Sequence, residues 1–243
     1  MTGRLLVRGM LVGLIAGLLA FGFAKVFGEP QVDKAIAFEE SMAHMHGDAE
    51  EEEELVSRDV QGSAGLLTGV VVYSVSLGGI FSLVFAYALG RIGRVGPCGL
   101  AALLALTAFV AVFLIPGLKY PPNPPSVGNP DTIGLRTQLF FLIMLVSVIG
   151  AVISVNVGRK LIGQNGIWSG AISGVALYLV IVSVAAYLFP TINEVPDNFS
   201  AVLLWKFRTA SLGIQIVLWT SLGLIFGKVA ELALYPSRKA VGV

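Results

Sequence analysis

Six runs of apolar residues, each about the 20 residues that a helix needs to cross the hydrocarbon of a bilayer, constrain this chain more than any other feature. They lie at Met10 to Phe27, Gly65 to Leu89, Gly99 to Leu118, Leu139 to Val157, Ile167 to Phe189 and Ala210 to Ala233. In lipid every backbone N–H and C=O must be satisfied within its own segment, so each run is expected to be a helix. With 56% hydrophobic and only 13% charged residues, the chain falls outside the range of soluble globular domains. The fold class expected is all-α: a polytopic integral membrane protein with six transmembrane helices, one membrane domain over residues 1–243.

Lys and Arg are retained on the cytoplasmic side of short loops, so their positions orient the spans. Arg4 and Arg8 precede the first span, Arg91 and Arg94 follow the second, Arg159 and Lys160 follow the fourth, and Lys228, Arg238 and Lys239 accompany the end of the sixth. These nine share their side with one acidic residue, Glu231, while the other fourteen carboxylates face seven basic residues. Both termini are therefore expected in the cytoplasm. Arg4, Arg8, an apolar core and Gly22-Phe23-Ala24 also resemble a cleavable signal, whose removal would leave five spans. Gly9, Gly13 and Gly17 favour retention, because glycine at every fourth position gives a flat face for close helix packing. Gly166, Gly170 and Gly174 repeat that spacing at the fifth span, with the same expectation. GLLTGVVVYSV at Gly65 to Val75 parallels GAISGVALYLV at Gly170 to Val180; two repeats of three spans each would be inverted relative to one another.

One long polar stretch interrupts the apolar pattern. Residues 28–62 form an external acidic loop holding both histidines and eleven of the fifteen carboxylates, ending in the run Glu50 to Glu54. Pro30 suits a first helical turn, and the residues after it continue a short helix. Helical spacing aligns Glu29, Asp33, Glu40 and His44 along one side, with Glu39, Met42 and His46 on the next. Imidazole suits divalent first-row metals, thioether favours softer ions, and carboxylates raise the local cation concentration. Glu29, Asp33, Glu40, Met42, His44, Met45 and His46 are thus the candidate metal-binding set, with a solvated acidic linker as the alternative. A second external loop, residues 119–135, holds five prolines between Pro121 and Pro130 and is expected to be stiff.

Polar residues inside the spans are few. Gln215, Ser74, Tyr73 and Tyr178 are the candidates to line a path for an ion, against the alternative that such groups only join helices. No Asp, Glu or His lies deep in a span, which argues against a proton relay. Arg136, Lys206 and Arg208 are expected to anchor helix ends or to pair with Asp131, Glu194 or Asp197. Cys98 alone excludes an intrachain disulfide and a cysteine-only metal site. There is no GxxxxGK[ST], no HExxH and no intramembrane Ser with a His, so neither ATP hydrolysis nor proteolysis is indicated, and no nucleic-acid motif appears.

Three segments carry a resemblance: GFAKVFGEPQVDKAIAFEE at Gly22 to Glu40, YPPNPPSVGNPDTIGLRT at Tyr120 to Thr137, and WKFRTASLGIQIVLWTSLG at Trp205 to Gly223. Together they resemble the CbtA family of predicted cobalt transporter subunits. The resemblance implies a multi-pass component of a bacterial inner-membrane cobalt uptake system, tied to cobalamin synthesis. It further implies a small, single-span, His-bearing partner of the CbtB kind, Co(II) as substrate, no permanently bound cofactor and no enzymatic activity. Transport of another cation such as Ni(II), or a scaffold that binds a partner through the acidic loop, are the alternatives.

Overall fold

The computed structural model describes residues 2–46, 56–93, 95–125 and 127–235, and among them all regular structure is helical. Helix α1 (Thr2–Phe23) runs through a π-helical turn, Ala24–Gly28, straight into α2 (Glu29–His46). The chain returns through the short α3 (Arg58–Val60), a second π-helical turn at Gln61–Gly65, and α4 (Leu66–Ala88). The third crossing is α5 (Pro97–Ala108), a π-helical stretch at Phe109–Leu114 and α6 (Ile115–Lys119). Then come α7 (Ile133–Asn165), α8 (Ile167–Leu188) and α9 (Ala201–Leu234). Six of the resulting helices are long and apolar enough to cross a membrane, which makes the chain a multi-pass membrane protein. On α8, Trp168 and Tyr187 are 82% and 88% exposed. They stand about 28 Å apart along the helix axis, matching the roughly 30 Å between the interfaces where aromatic side chains gather.

The helices group into two compact units, one of Met1–Leu106, Asn123–Ser126 and Asn198–Val243, the other of Thr107–Pro122 and Val127–Asp197. In the first, α1 lies along α4 through the predicted glycine face. A Cβ at Gly9 would meet the Gly78 carbonyl and the Ser82 side chain, one at Gly13 the Ser74 carbonyl, and one at Gly17 the Ser74 hydroxyl. The two backbones approach closely because nothing projects between them. Ser74 and Ser82 bond back to the Val71 and Gly79 carbonyls at 3.1 and 2.8 Å, so their hydroxyls are satisfied within α4. Helix α9 packs on α1 and closes the core with Phe226, whose ring meets Phe81 and Phe85 edge-on at 5.5 and 5.1 Å. Gly223 and Gly227 of α9 admit Ala105, Ala101 and Cys98 of α5.

The second unit is built on the pair α7 and α8. Gly158 faces Gly170 and Gly174, and the Ser154 carbonyl lies against Gly174. Packing by Gly170 and Gly174 follows the expected spacing, but Gly166 does not join them. It ends α7 with φ 88°, and nothing lies within 4 Å of where its Cβ would be. Gly166 is a turn glycine, required by a backbone conformation that L side chains avoid.

Candidate metal-binding arm and polar residues of the spans

Helix α2 is an arm that extends the first span for 18 residues, about 27 Å. Its root is fixed by charge. The Arg58 guanidinium reaches Glu29 at 2.6 Å and Asp33 at 2.9 Å, and Lys25 donates to the Gly62 carbonyl at 2.9 Å. Glu29 and Arg58 side chains are only 12% and 27% exposed, so their pairing is sheltered from solvent screening. The two π-helical turns meet here, joined by the Lys25 bond. Two of the four aligned residues, Glu29 and Asp33, thus have a cation on them from within the chain. Arg58, a lone arginine beyond the acidic run, is the signal for this clamp in the sequence.

Farther along, α2 leans on the start of α9. Ala35 is fully buried, Phe38 stacks edge-on against Phe199 at 5.1 Å, and the Asn198 amide donates to the Met42 sulfur at 3.3 Å. Ser200 caps α9 by accepting from the Leu203 N–H at 3.3 Å, which sets where Asn198 and Phe199 stand. Glu39, Glu40 and His44 are exposed beyond these contacts. The side chains of Met45 and His46, and the acidic run Glu50 to Glu54, lie outside the described residues. Among the described residues no three His, Cys, Asp or Glu side chains converge as metal ligands.

The intramembrane candidates divide between the units. Ser74 is buried at the α1–α4 contact, Tyr73 is half-exposed on α4, and Gln215 is half-buried midway along α9. Tyr178 belongs to the second unit, where its hydroxyl shares a 2.7 Å hydrogen bond with Ser147. No hydrogen bond among the described residues joins these four to one another. Cys98 lies 3.5 Å from Glu231, which Lys228 pairs at 2.9 Å.

The proline-rich loop is tied down in each unit separately. In the first, Arg208 donates to Asn123 at 2.9 Å. In the second, Glu194 accepts from the Asn129 N–H at 2.8 Å and from the Thr132 hydroxyl, with Arg136 Nε at 3.2 Å. Tyr120 donates to the Pro190 carbonyl at 2.8 Å.

A family model described as a probable cobalt transporter subunit (CbtA) matches residues 2–231. The chain belongs to the CbtA family. The match runs from the start of α1 into the last turns of α9, so the arm, the glycine pairs and both proline-loop ties all lie inside the family's own extent. CbtA proteins are transporter subunits rather than enzymes, and the description implies Co(II) as the substrate. With six membrane-crossing helices, this CbtA chain is a multi-pass protein of the bacterial plasma membrane. No curated protein and no solved structure matches it.

Proposed function

We propose that this CbtA protein passes Co(II) inward for cobalamin synthesis, together with a small single-span, His-bearing partner of the CbtB kind. The arm then stands outside the cell and both termini lie in the cytoplasm, in keeping with the sorting of basic residues along the sequence. The observation that carries this reading is the unbroken helix from α1 into α2. It holds the histidine-bearing tip at a set height above the first span instead of leaving it on a loose loop.

Charge divides the arm by role. Glu29 and Asp33, matched by Arg58, hold the root. Glu40 and the carboxylates beyond the tip raise the local concentration of cations. His44, His46, Met42 and Met45 bind the metal by imidazole and thioether, a mixed set suited to an exchangeable first-row ion. Gln215, with Tyr73 of the same unit, supplies polar contacts for the passage through the spans.

The test is uptake of radiolabelled cobalt by cells carrying His44→Ala and His46→Ala together. Accumulation at limiting cobalt should fall several-fold and recover as external cobalt rises, because only capture is impaired. Equal uptake at every concentration would remove the histidines from the mechanism. Nickel that outcompetes equimolar cobalt would reassign the substrate, and proteoliposomes that admit no metal, with or without the partner, would leave a scaffold.

A further inference from the structure

The first unit contains a buried donor that neither the packing nor the arm uses. Trp219 is only 4% exposed, and its indole Nε1 has no hydrogen-bond partner among the described residues. A buried N–H without an acceptor is unfavourable by about a lost hydrogen bond, and such groups are most often served by an internal water. A full ring of aromatic carbon elsewhere on α9, Phe226, needs no such partner and sits against two other rings. Trp219 differs from it in carrying a proton to place.

Gln215 lies one helical turn before Trp219, so the two side chains share a face. Helical side chains lean toward the N-terminus of their helix, which carries the indole over the turn that holds Gln215. Gln215 has no hydrogen bond to another described residue, and its amide offers both an acceptor and two donors. Both residues fall in the middle of a 34-residue helix, far from the ends where bulk water reaches. A donor-only indole and a two-way amide are complementary to a neutral ligand that both accepts and donates. The indole N–H does not suit a bare cation, since it points positive charge outward, whereas the Gln215 carbonyl can face one.

We infer that the Trp219 indole N–H and the Gln215 amide together hold a water molecule at the midpoint of α9, making Trp219 a further polar residue of the ion's passage. The inference rests on Gln215 belonging to that passage, and it adds what the pair contributes. A divalent ion moving past keeps part of its hydration shell by exchanging with a water already fixed in place, instead of shedding it against hydrocarbon.

Fluorescence tests the water without any transport. Trp168 and Trp205 are exposed, so Trp168→Phe with Trp205→Phe leaves Trp219 as the sole emitter in a folded protein. Its emission should lie to the red of indole in hydrocarbon, brighten in D2O, and move to the blue when Gln215→Leu is added. Emission already at the hydrocarbon position, indifferent to D2O and to Gln215→Leu, would overturn the water.

The transport half has its own readout. Trp219→Phe keeps an aromatic ring and removes the N–H, and should lower cobalt uptake several-fold at saturating cobalt with the melting temperature unchanged. Full uptake by Trp219→Phe, with the fluorescence signature present, would overturn the transport role and leave a structural water. The histidine variants fail at limiting cobalt only, so loss of the collecting role and loss of this pair are told apart by the concentration at which uptake falls.

Discussion

At the scale of single residues, Glu194 shows how one carboxylate fixes a loop. The Thr132 hydroxyl and then the Asn129 N–H, each donating to it, hold its carboxyl below the usual range, with Arg136 adding to the effect. A carboxyl whose folded pKa is depressed contributes stability above its unfolded pKa and loses it as pH falls through the folded value. Acidification should therefore loosen residues 127–132, read as faster amide exchange there than in α7, and Glu194→Gln should show fast exchange already at neutral pH. Gly128, with φ 134°, lies under the Arg136 guanidinium, so Gly128→Ala should release the same loop through strain and collision. The sequence narrowed the partners of Arg136 to three carboxylates. It could not choose among them, because the choice depends on where the chain between α8 and α9 passes, and no periodicity records that. Trp219 escaped for a related reason: an indole in an apolar run reads as packing until its N–H is seen without an acceptor.

At the scale of helices, glycine spacing was the legible signal, and its meaning differs by position. Gly13→Leu should drive α1 from the Ser74 backbone and cost about 1–3 kcal/mol as an overpacked contact, seen as a lowered unfolding midpoint in detergent. Gly22→Ala, where an added Cβ meets nothing within 4 Å, should be neutral or stabilise by up to about 1 kcal/mol through helix propensity. Gly166→Ala should destabilise the α7–α8 turn by about 1–3 kcal/mol, the cost of an L residue in an extended positive-φ conformation open essentially to glycine alone, although its surroundings are open. The period of four told which glycines could share a face. It did not tell that the helix would break at Gly166, since a turn glycine can fall by chance on the same count. Within the acidic stretch, read as a loop with a short helix, Glu29–His46 is helical and continues the first span directly; Pro30 does not end the helix, and the π-helical turn at Ala24–Gly28 lies just before it.

At the scale of the whole molecule, the arm and its clamp are the parts whose loss should matter most. Arg58→Ala leaves Glu29 sheltered and unpaired, at about 1–3 kcal/mol, and should free α2 to be cut by protease under conditions where the parent resists. Placement across the membrane is checked with Cys98→Ser protein carrying His44→Cys. A membrane-impermeant maleimide added to intact cells should label it, and labelling only after lysis would reverse the inward route.

The π-helical turn at Ala24–Gly28 sets the phase of everything beyond it. A π turn holds one residue more than an α turn, and one residue is about 100° of rotation about the axis. Deleting a single residue there would leave the glycine seam of α1 in register while swinging Phe38 and Met42 away from α9 and pointing His44 along a new bearing. The direction in which the arm presents His44 is thus encoded by an irregularity in winding, not by the side chains at its tip.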